Sequence, residues 1–146
     1  MKKILPIIVI ILIIAGLTWM WQTKKEKEYF GNEFEKKDLI HITTPRPNEV
    51  IKSPLTITGE TRGVWFFEGS FPIVLVNWDG LIIAEWYATA QGEWMTNDFV
   101  PFEATLTFET PNYPKGLSNG SLILKKDNAS GLPEHDDALE IPIRFE

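Results

Sequence analysis

The stretch FPIVLVNWDGLIIAEWYA, Phe71 to Ala88, consists of two apolar, β-rich runs on either side of Asp79-Gly80. Asp-Gly suits a type I′ turn, in which both central residues take positive φ, so the stretch reads as a tight β-hairpin. A two-residue loop would pair Trp78 with Leu81, Val76 with Ile83 and Ile73 with Trp86. One face then carries Phe71, Ile73, Leu75, Ile82, Ala84 and Trp86, and the other Val74, Val76, Trp78, Leu81, Ile83 and Tyr87. Both faces are largely apolar, whereas a half-solvated hairpin alternates apolar with polar. The expectation is that one face lines a core, through Phe71, Ile73, Leu75 and Trp86, and that the other is covered or used for binding.

Outward from the hairpin, short β-rich runs are separated by Pro, Gly, Asn and Asp. Residues 39–44 (LIHITT) and 53–59 (SPLTITG) precede it, and 102–109 (FEATLTFE), 121–126 (SLILKK) and 139–145 (LEIPIRF) follow. Residues 102–109 alternate most clearly: Phe102, Ala104, Leu106 and Phe108 point one way, Glu103, Thr105, Thr107 and Glu109 the other. Pro142 cannot donate to a ladder, which marks its strand as an edge or as bulged. Seven short strands without an amphipathic helix indicate an all-β fold, an immunoglobulin-like antiparallel β-sandwich, with a closed barrel as the structural alternative. The domain assigned to it is 38–146. The chain has 146 residues and no cysteine, so no disulfide braces the sandwich and its apolar layers must hold it.

Residues 4–20 (ILPIIVIILIIAGLTWM) form an uncharged apolar run that is long enough, with Trp21, to span a bilayer as a helix. Lys2 and Lys3 precede it, Trp19 and Trp21 sit at its far end as an interfacial belt would, and no small-residue cleavage pattern follows. Residues 1–21 are therefore read as a retained transmembrane signal anchor. Residues 22–37 (QTKKEKEYFGNEFEKK) read as a charged spacer, interrupted by Gly31-Asn32. Lysines flank both ends of the apolar run, so charge alone barely orients it. The domain that follows reads like an envelope module, so the N-terminus is expected in the cytoplasm and the domain outside it, on a single-pass cell-membrane protein.

The order of landmarks resembles the bacterial spore-germination immunoglobulin-like domain family, Gmad2. Those landmarks are Pro45-Arg46-Pro47, Ser53-Pro54-Leu55 with Gly59, Phe67-Glu68-Gly69-Ser70-Phe71, the Asp79-Gly80 hairpin, Phe102-Glu103-Ala104, Gly120 with Leu122, and Ile141-Pro142-Ile143. The resemblance implies an envelope module without catalytic residues. Residues 1–146 include no cysteine that could carry a lipid and none that read as a companion domain, and nothing in them argues for sporulation itself.

The chemistry available narrows the function further. Residues 38–146 carry seven Lys/Arg against sixteen Asp/Glu, and such an acidic domain repels nucleic acid. Only His41 and His135 offer an imidazole, His41 reads as a solvent-facing strand residue, and no nucleophile elbow, phosphate loop or zinc helix appears. The chain does not read as an enzyme, and no cofactor is expected. Asp127, Glu134, Asp136 and Asp137 are weak metal candidates whose spacing fails the calcium-loop pattern, so no metal is expected. The aromatics are more suggestive: Trp65, Phe66, Phe67, Trp78, Trp86, Tyr87 and Trp94 fall close together in sequence. Two or three are expected in the core and one or two on the surface, with Trp78, Tyr87, Trp94 and Trp65 as candidate binding residues. Trp94 also fits a plug over the sandwich end, together with Phe99. The expected role is an extracytoplasmic binding module for another envelope protein, with a glycan or peptidoglycan module using exposed aromatics as the alternative.

Overall fold

The computed structural model describes residues 29–114 and 116–146. The expected anchor, 1–21, and the first part of the spacer lie outside the described residues. Among the described residues no helix is long and apolar enough to cross a membrane.

A short helix, α1 (Glu33–Lys36), is followed by eight strands: β1 (Ile40–Thr44), β2 (Val50–Ile51), β3 (Leu55–Arg62), β4 (Ser70–Asn77), β5 (Ile82–Ala90), β6 (Phe99–Leu106), β7 (Asn119–Lys125) and β8 (Ala138–Phe145). They form one curled sheet in the order β1-β3-β6-β5-β4-β7-β8-β2. All seven expected strands are present. The addition, β2, is two residues long and pairs parallel to the end of β8, too short to leave a sequence pattern.

The curl makes two layers. β1, β3 and β6 form one and β4, β7, β8 and β2 the other, with β5 as the hinge between them; this is the strand arrangement of an immunoglobulin-like sandwich. Alternation fills the space between the layers as the sequence requires: Phe102, Ala104, Leu106 and Phe108 from one side and Leu122, Leu124, Leu139, Ile141 and Ile143 from the other are all buried. Phe71 sits at the centre, tilted against Phe66 at 5.4 Å between centroids and edge-on to Phe102 at 5.0 Å. Thr61 is buried with its hydroxyl donating to the Leu39 carbonyl, 2.9 Å away.

The hairpin turn differs from the expectation. Gly80 has φ of 76°, but Asp79 has no positive φ, so the turn is not type I′. Instead the Gly80 N–H donates to the Asn77 carbonyl (3.0 Å) and the Asn77 N–H to the Leu81 carbonyl (3.0 Å). This is a type I turn followed by a left-handed glycine, and it takes Trp78 out of the ladder. Val76 pairs with Ile82, not Ile83; an irregularity beyond that pair restores the expected register, and Ile73 pairs with Trp86. The cause is the Asn77 side chain: its Oδ1 accepts from the N–H groups of Asp79 (3.0 Å) and Leu81 (2.8 Å), while its Nδ2 donates to the Tyr113 hydroxyl (2.7 Å). The two-residue turn with both central φ positive lies elsewhere, at Glu68 (50°) and Gly69 (76°), closed by reciprocal Phe67–Ser70 hydrogen bonds. Asn77→Ala is expected to cost about 1–3 kcal/mol, because the buried Asn77 side chain loses three hydrogen bonds, one of them to the half-buried Tyr113, and to show as a lower urea midpoint at unchanged slope.

The spacer also differs, since from Asn32 it lies on the domain. Asn32 binds the outer edge of β8: its N–H donates to the Glu140 carbonyl (3.1 Å), its Oδ1 accepts from the Glu140 N–H (2.8 Å) and its Nδ2 donates to the Ala138 carbonyl (3.0 Å). α1 adds a bidentate Arg46–Glu33 pair (2.8 and 2.9 Å) and a Lys36–Asp137 pair. The folded unit therefore begins ahead of residue 38, and this strap covers the strand edge that Pro142 marks.

Candidate functional site

β5 pairs with β4 over seven positions, from Ser70↔Thr89 to Val76↔Ile82, but with β6 at only Thr89 and Ala90. Beyond Ala88 the core-facing side of β5 thus has no neighbour on the β6 side. Phe71, Ile73 and Leu75 on β4 are buried as expected, but Trp86, which pairs with Ile73 and was expected beside them, is 61% exposed. The divergence of β5 from β6 is the reason. Tyr87, on the opposite side of the same strand, is 56% exposed, and Ile82 is exposed at its start. A groove of about 260 Å³ follows the opening, lined by Trp86, Tyr87, Thr89, Gln91, Glu103 and Thr105.

At the tip, Trp78 is 50% exposed and Leu81 also faces solvent. Trp78 and Tyr29 line a second groove, about 400 Å³, whose floor includes Asn119, Ser121 and Pro142 of β7 and β8.

Two other candidates are placed differently. Trp65, expected on the surface, is 1% exposed and belongs to the core; it sits in a 3-10 turn (Gly63–Trp65) that tucks its ring inward. That placement removes it from the accessible surface. Trp94 is partly buried against the core, as the plug reading requires, and its indole packs on Gly69. Phe99 is partly buried too, stacked on His41 at 4.7 Å and covered by the Arg62 guanidinium 4.0 Å from its centroid. His41 is thus not a freely solvated strand residue: its Nδ1 lies 3.1 Å from Glu60 Oε1, and Nε2 contacts the Lys37 carbonyl. In all, four of the clustered aromatics are exposed: Phe67, Trp78, Trp86 and Tyr87. That is more than expected: Trp86 and Tyr87 lie where β5 leaves β6, Trp78 at the hairpin tip and Phe67 at the turn before β4.

The carboxylate loop does not converge. Asp136 accepts from Asn128 Nδ2 (2.8 Å), Asp137 pairs with Lys36 and accepts from the Ala138 N–H (2.9 Å). Among the described residues no group of three or more His, Asp or Glu could hold a metal ion.

These features define the class: an immunoglobulin-like domain whose most distinctive surface is an aromatic hairpin. The sequence model of the immunoglobulin-like domain of bacterial spore germination, Gmad2, matches residues 39–129, and the chain belongs to that family. The match ends before β8, yet β8 pairs with β7 over seven positions and closes the sandwich, so the structural unit extends past the matched region. No curated protein and no solved structure matches the chain.

Proposed function

We propose that the chain is a single-pass envelope protein whose immunoglobulin-like domain is a non-catalytic binding module, displayed outside the cytoplasm and engaging another protein through β5. The observation that carries this reading is the exposure of Trp86 and Tyr87 on a strand held by seven cross-strand pairs to β4. Large rigid aromatics on an ordered strand bring contact area at low entropic cost, the property that makes Trp and Tyr interface anchors. The apolar run at residues 4–20 supports the anchored location.

A photoreactive amino acid at position 87 of the full chain in cells tests it. A discrete adduct with an envelope protein is expected at 87 and not at Glu134, which is exposed on the loop between β7 and β8. Trp86→Ala should abolish that adduct while changing domain stability by about 0.5 kcal/mol or less, as for other exposed substitutions. Equal labelling at both positions, or none at 87, would remove the proposal.

A glycan is the second reading, favoured by the polar lining of the β5–β6 groove, where Glu103, Gln91, Thr89 and Thr105 surround Trp86. Stacking on Trp86 with hydrogen bonds from these groups is the chemistry a sugar ring requires. Titration with cell-wall fragments should then change tryptophan emission in the wild type and not in Trp86→Ala.

A further inference from the structure

We infer that the tip of the β4–β5 hairpin, with Trp78 and Leu81, rests in the headgroup region of the bilayer that the apolar N-terminal run enters. The inference rests on the anchored reading above and adds a second, independent contact between the domain and the membrane.

The argument begins with where the described chain starts. The Tyr29 carbonyl accepts from Asn48 Nδ2 (3.0 Å), and Tyr29 lines the same groove as Trp78. The chain therefore leaves the domain at the end where the hairpin tip projects. Residues 22–28 (QTKKEKE) separate Tyr29 from Trp21, the last residue assigned to the apolar run. From Trp21 to Tyr29 is eight residue steps, so even fully extended the connection reaches at most about 29 Å at ~3.6 Å per residue. The tip is thus held within reach of the membrane surface.

The chemistry at the tip suits that surface. Trp78 is half exposed, Leu81 is 64% exposed and Tyr29 is also open to solvent. Trp and Tyr concentrate at membrane interfaces because their rings are apolar while their N–H and O–H remain hydrated. The turn keeps both residues out: the Asn77 clamp removes Trp78 from the ladder, and Leu81 follows the left-handed Gly80. Asp79, at the apex between them, stays among the headgroups and limits immersion to the interface. The acidic balance of residues 38–146 argues that the contact is apolar and not electrostatic, so it should be stronger on phosphatidylcholine than on membranes rich in anionic lipid. Trp86 lies four residues along β5 from Ile82, about 13 Å at ~3.3 Å per residue, and stays accessible to a partner while the tip is seated.

The absence of cysteine makes the test direct. Full-length chains carrying Leu81→Cys, Glu134→Cys or Ile11→Cys are labelled with an environment-sensitive dye and reconstituted into phosphatidylcholine vesicles with or without a nitroxide-bearing lipid. Residues 81 and 134 are both exposed, so neither label disturbs the core. The label at 81 is expected to lose roughly half its emission to headgroup-level nitroxide, as an interfacial group does, and the label at 134 to lose none. Trp78→Ser should weaken quenching at 81 without changing that at 11. Quenching at 11 with none at 81 would overturn the tip contact while leaving the anchor standing. No quenching at either site would remove both. A label at 81 shielded from aqueous iodide yet unreached by nitroxide lipid would assign the tip to a second copy or another protein, and would also overturn the inference.

Discussion

Phe71→Ala is expected to destabilise the domain by about 3–5 kcal/mol, the range for deleting a buried aromatic ring. Phe71 has no solvent exposure and joins the two layers: it is on β4, one of its ring contacts is Phe102 on β6, and the other is Phe66 in the connection between β3 and β4. Removing it leaves a cavity on which Phe66 and Phe102 cannot both close, because each is held by its own backbone. A loss of this size is a large part of the ~5–15 kcal/mol that stabilises a single domain. With no cysteine in the chain, no disulfide limits the damage. The measurement is chemical unfolding of the full chain in mild detergent, followed by near-ultraviolet circular dichroism. Leu75→Ala, equally buried on the same strand but farther along it, should fall in the 2–5 kcal/mol range. A Phe71→Ala midpoint within error of wild type would mean that the two layers do not depend on this contact. Trp86→Ala is the internal control, since its ring lies outside the core despite the cross-strand pairing with Ile73.

That contrast shows what the sequence carried and what it did not. Alternation in 102–109 marks buried and exposed positions correctly, because both neighbours of a strand inside a sandwich impose the same two-residue period. The period cannot say where a strand loses a neighbour. Trp86 has the right phase for the core and is exposed because β5 leaves β6 after two pairs, a decision made by long-range geometry. The turn at Asp79-Gly80 failed for a local reason with a visible signal: Asn77, two residues before Asp79, has a side chain short enough to accept both tip N–H groups. Glu68-Gly69, which does adopt the paired positive φ values, is masked by Glu, a residue rarely found there. The site follows the same rule. Trp78 and Tyr87 are exposed because one is lifted by a turn and the other faces out of β5, whereas Trp65, within the apolar run Val64-Trp65-Phe66-Phe67, is buried by the turn after β3.

Gly31→Ala is expected to release the N-terminal strap and to cost about 2–3 kcal/mol, near the worth of three hydrogen bonds at ~1 kcal/mol each. Two constraints meet at this residue. Its φ is +72°, and an added Cβ would fall inside the van der Waals surface of the Glu140 carbonyl oxygen, a backbone atom that no rotamer change can move. The strap must lift, and the cost is capped at its docking energy, since lifting relieves the strain. What is lost is the Asn32 set on Glu140 and Ala138; the Arg46–Glu33 and Lys36–Asp137 pairs on the rim add little. Gly80→Ala separates the two constraints, because Gly80 also has positive φ but open space around its Cα, and it should cost only about 1 kcal/mol. Hydrogen exchange at the Glu140 amide, whose acceptor is Asn32 Oδ1, should quicken in Gly31→Ala and stay slow in Gly80→Ala. Tryptic cleavage after Lys36 and Lys37 should accelerate in parallel. Unchanged protection at Glu140 would mean that the strap is not held through Gly31. The strap also decides where the chain leaves the domain, so its release should lengthen the tether from at most about 29 Å to that of the whole charged segment. If the tip rests on the bilayer as proposed, quenching of a label at residue 81 by nitroxide lipid should then fall while a label at residue 11 stays quenched, because the contacts of residues 29–36 would no longer hold the tip within reach of the bilayer.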